Sequence, residues 1–123
     1  MHGAVILELG HPATGRERQA LELVNEFLER VEEMLSAGRL SAFRWYGLED
    51  GDLTERAALL VLEGSPEQLQ DLVASDEFRE LRYAAPSFLQ GFRLVRARPP
   101  DQVPADGMSL LTKAFERWGL LER

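Results

Sequence analysis

Residues 56–63 read RAALLVLE, and this run constrains the fold more than any other stretch of the chain. The apolar residues Ala57 to Leu62, bounded by charge, have the length and aliphatic content of a strand. Successive strand side chains point to opposite faces. Ala57, Leu59 and Val61 therefore line one face, and Ala58, Leu60 and Leu62 the other. Both faces are expected to be covered. Helices on one side of a sheet account for one of them, and a bare apolar second face would invite association. A second subunit packed sheet against sheet is one cover, and the C-terminal helix, in its own subunit or across the dimer, is another. The plainer alternative is a central strand with an unusually apolar open face. If the Leu60 face is the seam, Leu60→Asp is expected to give monomer or aggregate.

The rest of the chain supplies the partners of this strand. AVILEL, residues 4–9, stops at Gly10 and Pro12 and reads as a first strand. Thr14 and Glu17 have capping-box spacing. Behind them Ala20, Leu21, Val24, Phe27, Leu28, Val31, Met34 and Leu35 recur at helical spacing, with Gly38 as the stop. The aromatic-rich SAFRWYGL, residues 41–48, and the turn residues EDGD make a hairpin with RAALLVLE. Ser65, Pro66 and Gln68 form a second capping-box start, followed by Leu69, Leu72 and Val73. Ser75 starts a further turn carrying Phe78, Leu81 and Arg82, which predicts a break near residues 74–76. Pro86 is expected to end the helix, and FLQGFRLVRA, residues 88–97, to return as a fourth strand with Gly91 as a bulge. Phe92 and Leu94 against Val95 and Ala97 repeat the two-faced character of the third strand, mixed with Arg93, Arg96 and Arg98.

Strand, helix, strand, strand, helix, strand is the order of the ferredoxin-like α+β fold, with two helices on one face of a four-stranded antiparallel sheet. This predicts a domain over residues 1–98. Residues 99–123 then form a Pro-rich connector and a C-terminal amphipathic helix carrying Leu110, Leu111, Ala114, Phe115 and Trp118. A chain of 123 residues is long enough to bury a core without staples.

Composition narrows the chemistry. The net charge of −7 opposes a nucleic-acid surface, which needs clustered Lys or Arg. No cysteine is present, so disulfides and thiolate metal sites are excluded. The N-terminus has neither a basic leader nor a long apolar run, so no signal peptide or membrane span is read there and cytoplasmic residence is the expectation.

Candidate chemical residues are few. His11 sits just past the first strand, where an imidazole acts as acid, base or ligand, or as an ordinary loop histidine bonded to water or a carbonyl. In FRWY, alternation puts Arg44 and Tyr46 on one face and Phe43 and Trp45 on the other. Arg44 and Tyr46 have the chemistry to orient an anionic or phenolic ligand. Arg44 equally has Glu55 and Glu63 as candidate cross-strand partners. Trp45, Phe78 and Tyr83 are candidate ligand-binding aromatics, each with a packing role as the alternative. Glu49, Asp50 and Asp52 read as turn residues. One usable histidine among scattered carboxylates predicts no metal site and no cofactor. Ser41, Ser65, Ser75 and Ser87 read as caps, strand starts or loop residues, so no nucleophilic triad is expected.

The element order, with GSPEQLQDLVASDEFRELRYAAPSFLQGFRL after the third strand, resembles the dimeric α+β barrel superfamily over roughly residues 3–98. That superfamily includes the antibiotic-biosynthesis-monooxygenase-like, EthD-like and stress-responsive barrel proteins. The resemblance implies a homodimer whose two sheets close a barrel, with a ligand cleft in each subunit between helices and sheet. In heme-degrading members a histidine ligates heme, and His11 lacks the helical context for that role. Two functions follow as expectations. One is a non-catalytic dimeric module that binds a small apolar ligand or is purely structural. The other is a cofactor-independent monooxygenase-like enzyme, acting on an aromatic or polyketide-like substrate, in which His11, Tyr46 or Arg44 assists proton removal.

Overall fold

A computed structural model describes residues 2–49, 57–98 and 112–119. The elements run β1 (Gly3–Leu9), α1 (Glu17–Ser36), β2 (Ala42–Gly47), β3 (Ala58–Gly64), α2 (Pro66–Ala74), α3 (Asp76–Phe88) and β4 (Arg93–Ala97). Residues 112–117 are helical, as expected for the C-terminal segment, and their side chains are exposed. The sheet order is β2-β3-β1-β4 with antiparallel pairing throughout, which is the ferredoxin-like arrangement. The EDGD turn at Asp50 and Asp52 lies outside the described residues. Its flank is closed by the Leu48 N–H donating to the Ala57 carbonyl at 2.8 Å.

The core lies between the helices and one sheet face. Val5, Leu7 and Leu9 of β1 register with Leu62, Leu60 and Ala58 of β3. Against them pack Ala20, Phe27, Val31 and Met34 of α1, Leu69 and Leu72 of α2, and Phe78, Leu81 and Ala85 of α3. Burial of each such aliphatic side chain contributes about 1.5–3 kcal/mol. Leu60 is therefore a core residue, 2% exposed on the helix-covered face. The open face is the other one, carrying Leu59 and Val61, so the expectation that Leu60 lines a sheet-to-sheet seam is corrected: helices already cover its face. Leu21 likewise leaves the expected α1 stripe and is exposed. At 100° per residue it sits far round from the Ala20, Phe27 and Val31 line, and Leu23 packs on the core instead.

Helix ends show which local signals decide. The Ser65 capping box forms, its hydroxyl accepting from the Gln68 N–H and the Gln68 side chain accepting from the Ser65 N–H. Ser75 ends α2 and caps α3, accepting from the Phe78 N–H. The expected Thr14 box does not form. Arg16 closes a turn onto the Ala13 carbonyl, and Glu17 accepts from the Gly15 N–H, so α1 starts after Arg16. At the far end Gly38, at φ +74°, completes a Schellman stop with Gly38 N–H to Leu35 O and Arg39 N–H to Met34 O. Pro86 does not end α3. It lies in the last turn, which closes with the Leu89 N–H on the Ala85 carbonyl. Residues 88–92 consequently belong to the end of α3 and a turn, in which Gly91 takes φ +59° rather than forming a bulge.

Gln68 does more than cap. Its Oε1 also accepts from the Ser41 hydroxyl at 2.9 Å, and its Nε2 donates to the Gly38 carbonyl at 2.9 Å. The end of α1, the start of β2 and the start of α2 thus meet at one side chain. Gln68→Ala is expected to lower stability by about 1–3 kcal/mol, given about 0.5–1.5 per hydrogen bond at a partly exposed site. The urea midpoint should fall while the m-value stays unchanged.

Candidate functional site

Among the described residues nothing packs on the second sheet face, and this open face is the surface that distinguishes the fold. Its side chains stand in three rungs given by strand register. The central rung is Arg44, Val61, Ile6 and Val95. Towards the β1 C-terminus lies the rung Tyr46, Leu59, Glu8 and Arg93, and on the other side Ala42, Glu63, Ala4 and Ala97. Ile6, Leu59 and Val61 are half-buried by their neighbours, while Val95 and Tyr46 are 42% and 50% exposed. The middle of the face is thus aliphatic, with polar groups around it.

Its charge sets it apart as well. Arg44, Arg93, Glu8 and Glu63 make the face neutral. The helices α1, α2 and α3 carry eleven acids against four arginines, and so the whole of a −7 excess. Arg93 Nε stands 3.7 Å from Glu8 Oε2, and that oxygen is buried without a hydrogen-bond partner. Arg44 stands opposite Val61 with Glu63 on the diagonal, and no ion pair forms between the two. Glu55 lies outside the described residues.

Of the residues singled out in the sequence, the fold brings Arg44 and Tyr46 together on this face. Trp45 projects to the helix side opposite Leu60, yet at the edge strand it stays 59% exposed. Phe78 is buried in the core, its ring centroid 6.4 Å from that of Phe27. Tyr83 is an exposed residue of α3. His11 is exposed in the β1–α1 connection, where its carbonyl accepts from the Gln90 N–H at 2.9 Å. Glu8 and Arg93 were not singled out. The signal available was a lone carboxylate at an alternate position of an otherwise apolar strand.

Among the described residues, hollows on the helix layer include one of ≈ 50 Å³ between α1 and α3 at Leu23, Phe27, Leu81 and Ala84, one of ≈ 170 Å³ beside Gly38, Arg39 and Gln68, and one of ≈ 650 Å³ along the end of α1 at Glu29, Glu32, Glu33 and Ser36. The first two are below the roughly 300 Å³ of a small-molecule site, and the third is a broad acidic surface without the apolar walls of one. The space between helices and sheet is filled by Val5, Leu62, Val31 and Ala85, each fully buried. Among the described residues no group of three His, Cys, Asp or Glu is placed to hold a metal ion, and no helix is long and apolar enough to cross a membrane.

Neither a protein-family model nor a curated protein matches this sequence. Solved structures do. A dimeric ferredoxin-like protein of unknown function from a Jannaschia species is 13% identical, with a TM-score of 0.59 over 80% of this chain and 100% of the other. A dimeric protein of unknown function and ferredoxin-like fold from Bacteroides fragilis is 11% identical, with a TM-score of 0.56 over 80% of this chain and 96% of the other. A Mycobacterium tuberculosis protein is 16% identical, with a TM-score of 0.54 over 85% of this chain and 100% of the other. At these identities the likeness is one of fold, and together with the sheet order it makes this chain a ferredoxin-like α+β protein.

Proposed function

We propose that the chain works as a homodimer in which two open sheet faces pack together into an α+β barrel of the dimeric barrel superfamily, serving as a small-ligand-binding or structural module. The observation that carries this reading is the uncovered aliphatic rung of Val61, Ile6 and Val95. A face of this kind gains about 25 cal/mol for each Å² of apolar surface removed from water. Its neutrality lets two copies meet there, whereas their helix layers would repel. The dimeric state of the Jannaschia and Bacteroides proteins supports the same assembly. A ligand in such a barrel would meet aliphatic walls with Arg44 and Tyr46 at one edge, which suits an apolar molecule bearing one anionic or phenolic group.

Sedimentation equilibrium and native mass spectrometry test this. The wild-type chain is expected to run as a dimer, and Ile6→Asp as a folded monomer. A monomeric wild type, or an Ile6→Asp dimer of unchanged affinity, would refute the assembly. An extra mass carried by the dimer would identify the ligand. If that mass is an aromatic substrate which the protein oxidises, the monooxygenase-like alternative takes precedence over the binding role.

A further inference from the structure

We infer that the seam is locked by a hydrogen bond from the Tyr46 hydroxyl of one copy to the Glu8 carboxylate of the other, made twice by symmetry. This rests on the sheet-to-sheet dimer proposed above and specifies its register. Within one chain both groups lack a hydrogen-bond partner. Glu8 Oε2 is buried, and Arg93 Nε at 3.7 Å lies beyond hydrogen-bond distance. The Tyr46 hydroxyl has no hydrogen bond among the described residues, although half of this residue is exposed on the face that would be covered. A carboxylate oxygen and a phenol that go into an interface unpaired both cost free energy, so each needs the complementary group.

The two cannot meet in one chain. Tyr46 and Glu8 flank Leu59 on the same rung, two strand spacings or about 10 Å apart. A two-fold axis decides what each meets across the seam. An axis perpendicular to the strands sets Arg44 against Arg44, like charge on like. An axis parallel to the strands exchanges β2 with β4 and β3 with β1. It brings Tyr46 of one copy over Arg93 of the other, beside Glu8. Facing sheets lie about 10 Å apart, and a tyrosine side chain spans more than half of that gap. Glu8 Oε2 is closed off within the single chain but the Glu8 side chain is 22% exposed, so the phenol meets the carboxylate on its open side, a half-turn of the group exchanges its two oxygens, and Arg93 stays against it from its own chain.

The experiment is a double-mutant cycle on the dimer dissociation constant, measured by sedimentation equilibrium with Tyr46→Phe, Glu8→Leu and the double variant. Tyr46→Phe removes both symmetric bonds and is expected to weaken the dimer about 100-fold, because it leaves two desolvated carboxylates without a donor. In the Glu8→Leu background the same change should have little or no effect. Equal fold-changes in both backgrounds, or no effect of Tyr46→Phe in the wild type, would overturn the lock. Ile6→Asp separates the two levels. If it yields monomer while the cycle is additive, the sheet-face dimer stands and only this bond is lost. If it leaves the dimer intact, the assembly fails and the bond with it. Tyr46→Phe is an exposed, isosteric change, and an unaltered circular dichroism melt of the separated monomers confirms that the fold is retained.

Discussion

Leu60→Asp is expected to leave no folded protein, whereas Val61→Asp, one residue further on, folds and changes only the assembly. Leu60 is in the core beside Leu7 of β1 on the helix-covered face, and an unpaired carboxylate there costs several kcal/mol after relaxation. That is comparable with the roughly 5–15 kcal/mol total stability of a small domain. Val61 stands on the open face, where water and the Arg44 guanidinium on its rung can solvate the new charge. Its cost to the single chain should stay within about 1 kcal/mol. Circular dichroism and sedimentation separate the outcomes: an insoluble or unfolded Leu60→Asp beside a helical, monomeric Val61→Asp. A folded Leu60→Asp with an unfolded Val61→Asp would mean that the helices cover the other face.

Phe78→Ala is expected to cost about 3–5 kcal/mol, with no separate binding defect beyond that loss of fold. Phe78 is 1% exposed, and its ring packs at a tilt on Phe27, so truncation opens a cavity where α1 meets α3. The denaturant midpoint should fall by a large fraction of its value. Phe78→Leu should recover much of the loss, as partial refilling of the cavity does. If Phe78→Ala is instead as stable as the wild type, the aromatic is not a core residue and its reading as a ligand contact revives.

These contrasts show how much the sequence could tell. Alternation in RAALLVLE separates Leu60 from Val61 correctly, but both sets are aliphatic, so nothing local says which one the helices cover. That choice is made by register. Glu8 and Glu63 share a face with Leu59 and Val61, and only the pairing of β1 with β3 reveals it. The Ser65 box was legible because Ser, Pro and Gln coincide with the first turn of the helix. The same spacing at Thr14 and Glu17 misled, since a turn closed by Arg16 delays α1. Pro86 misled in a milder way, because it is the third-last residue of α3, where the i−4 bond it removes is among the last and little helix follows to be kinked. For the site, alternation in FRWY puts Arg44 and Tyr46 on one face, and the strand register does the same. Glu8 escaped notice because an acid in a strand reads as solvated until its neighbours are placed around it.

The junction around Gln68 has a dynamic consequence. Its side chain bridges backbone and hydroxyl groups 27 and 30 residues away in sequence, so the end of α1, the start of β2 and the cap of α2 cannot open independently. Local unfolding there costs all three connections at once, which makes the corner a single cooperative unit. In hydrogen exchange the amides of Arg39, Ser41 and Ser65 would then report one shared opening free energy. Segments far apart in the chain would exchange as if they were neighbours.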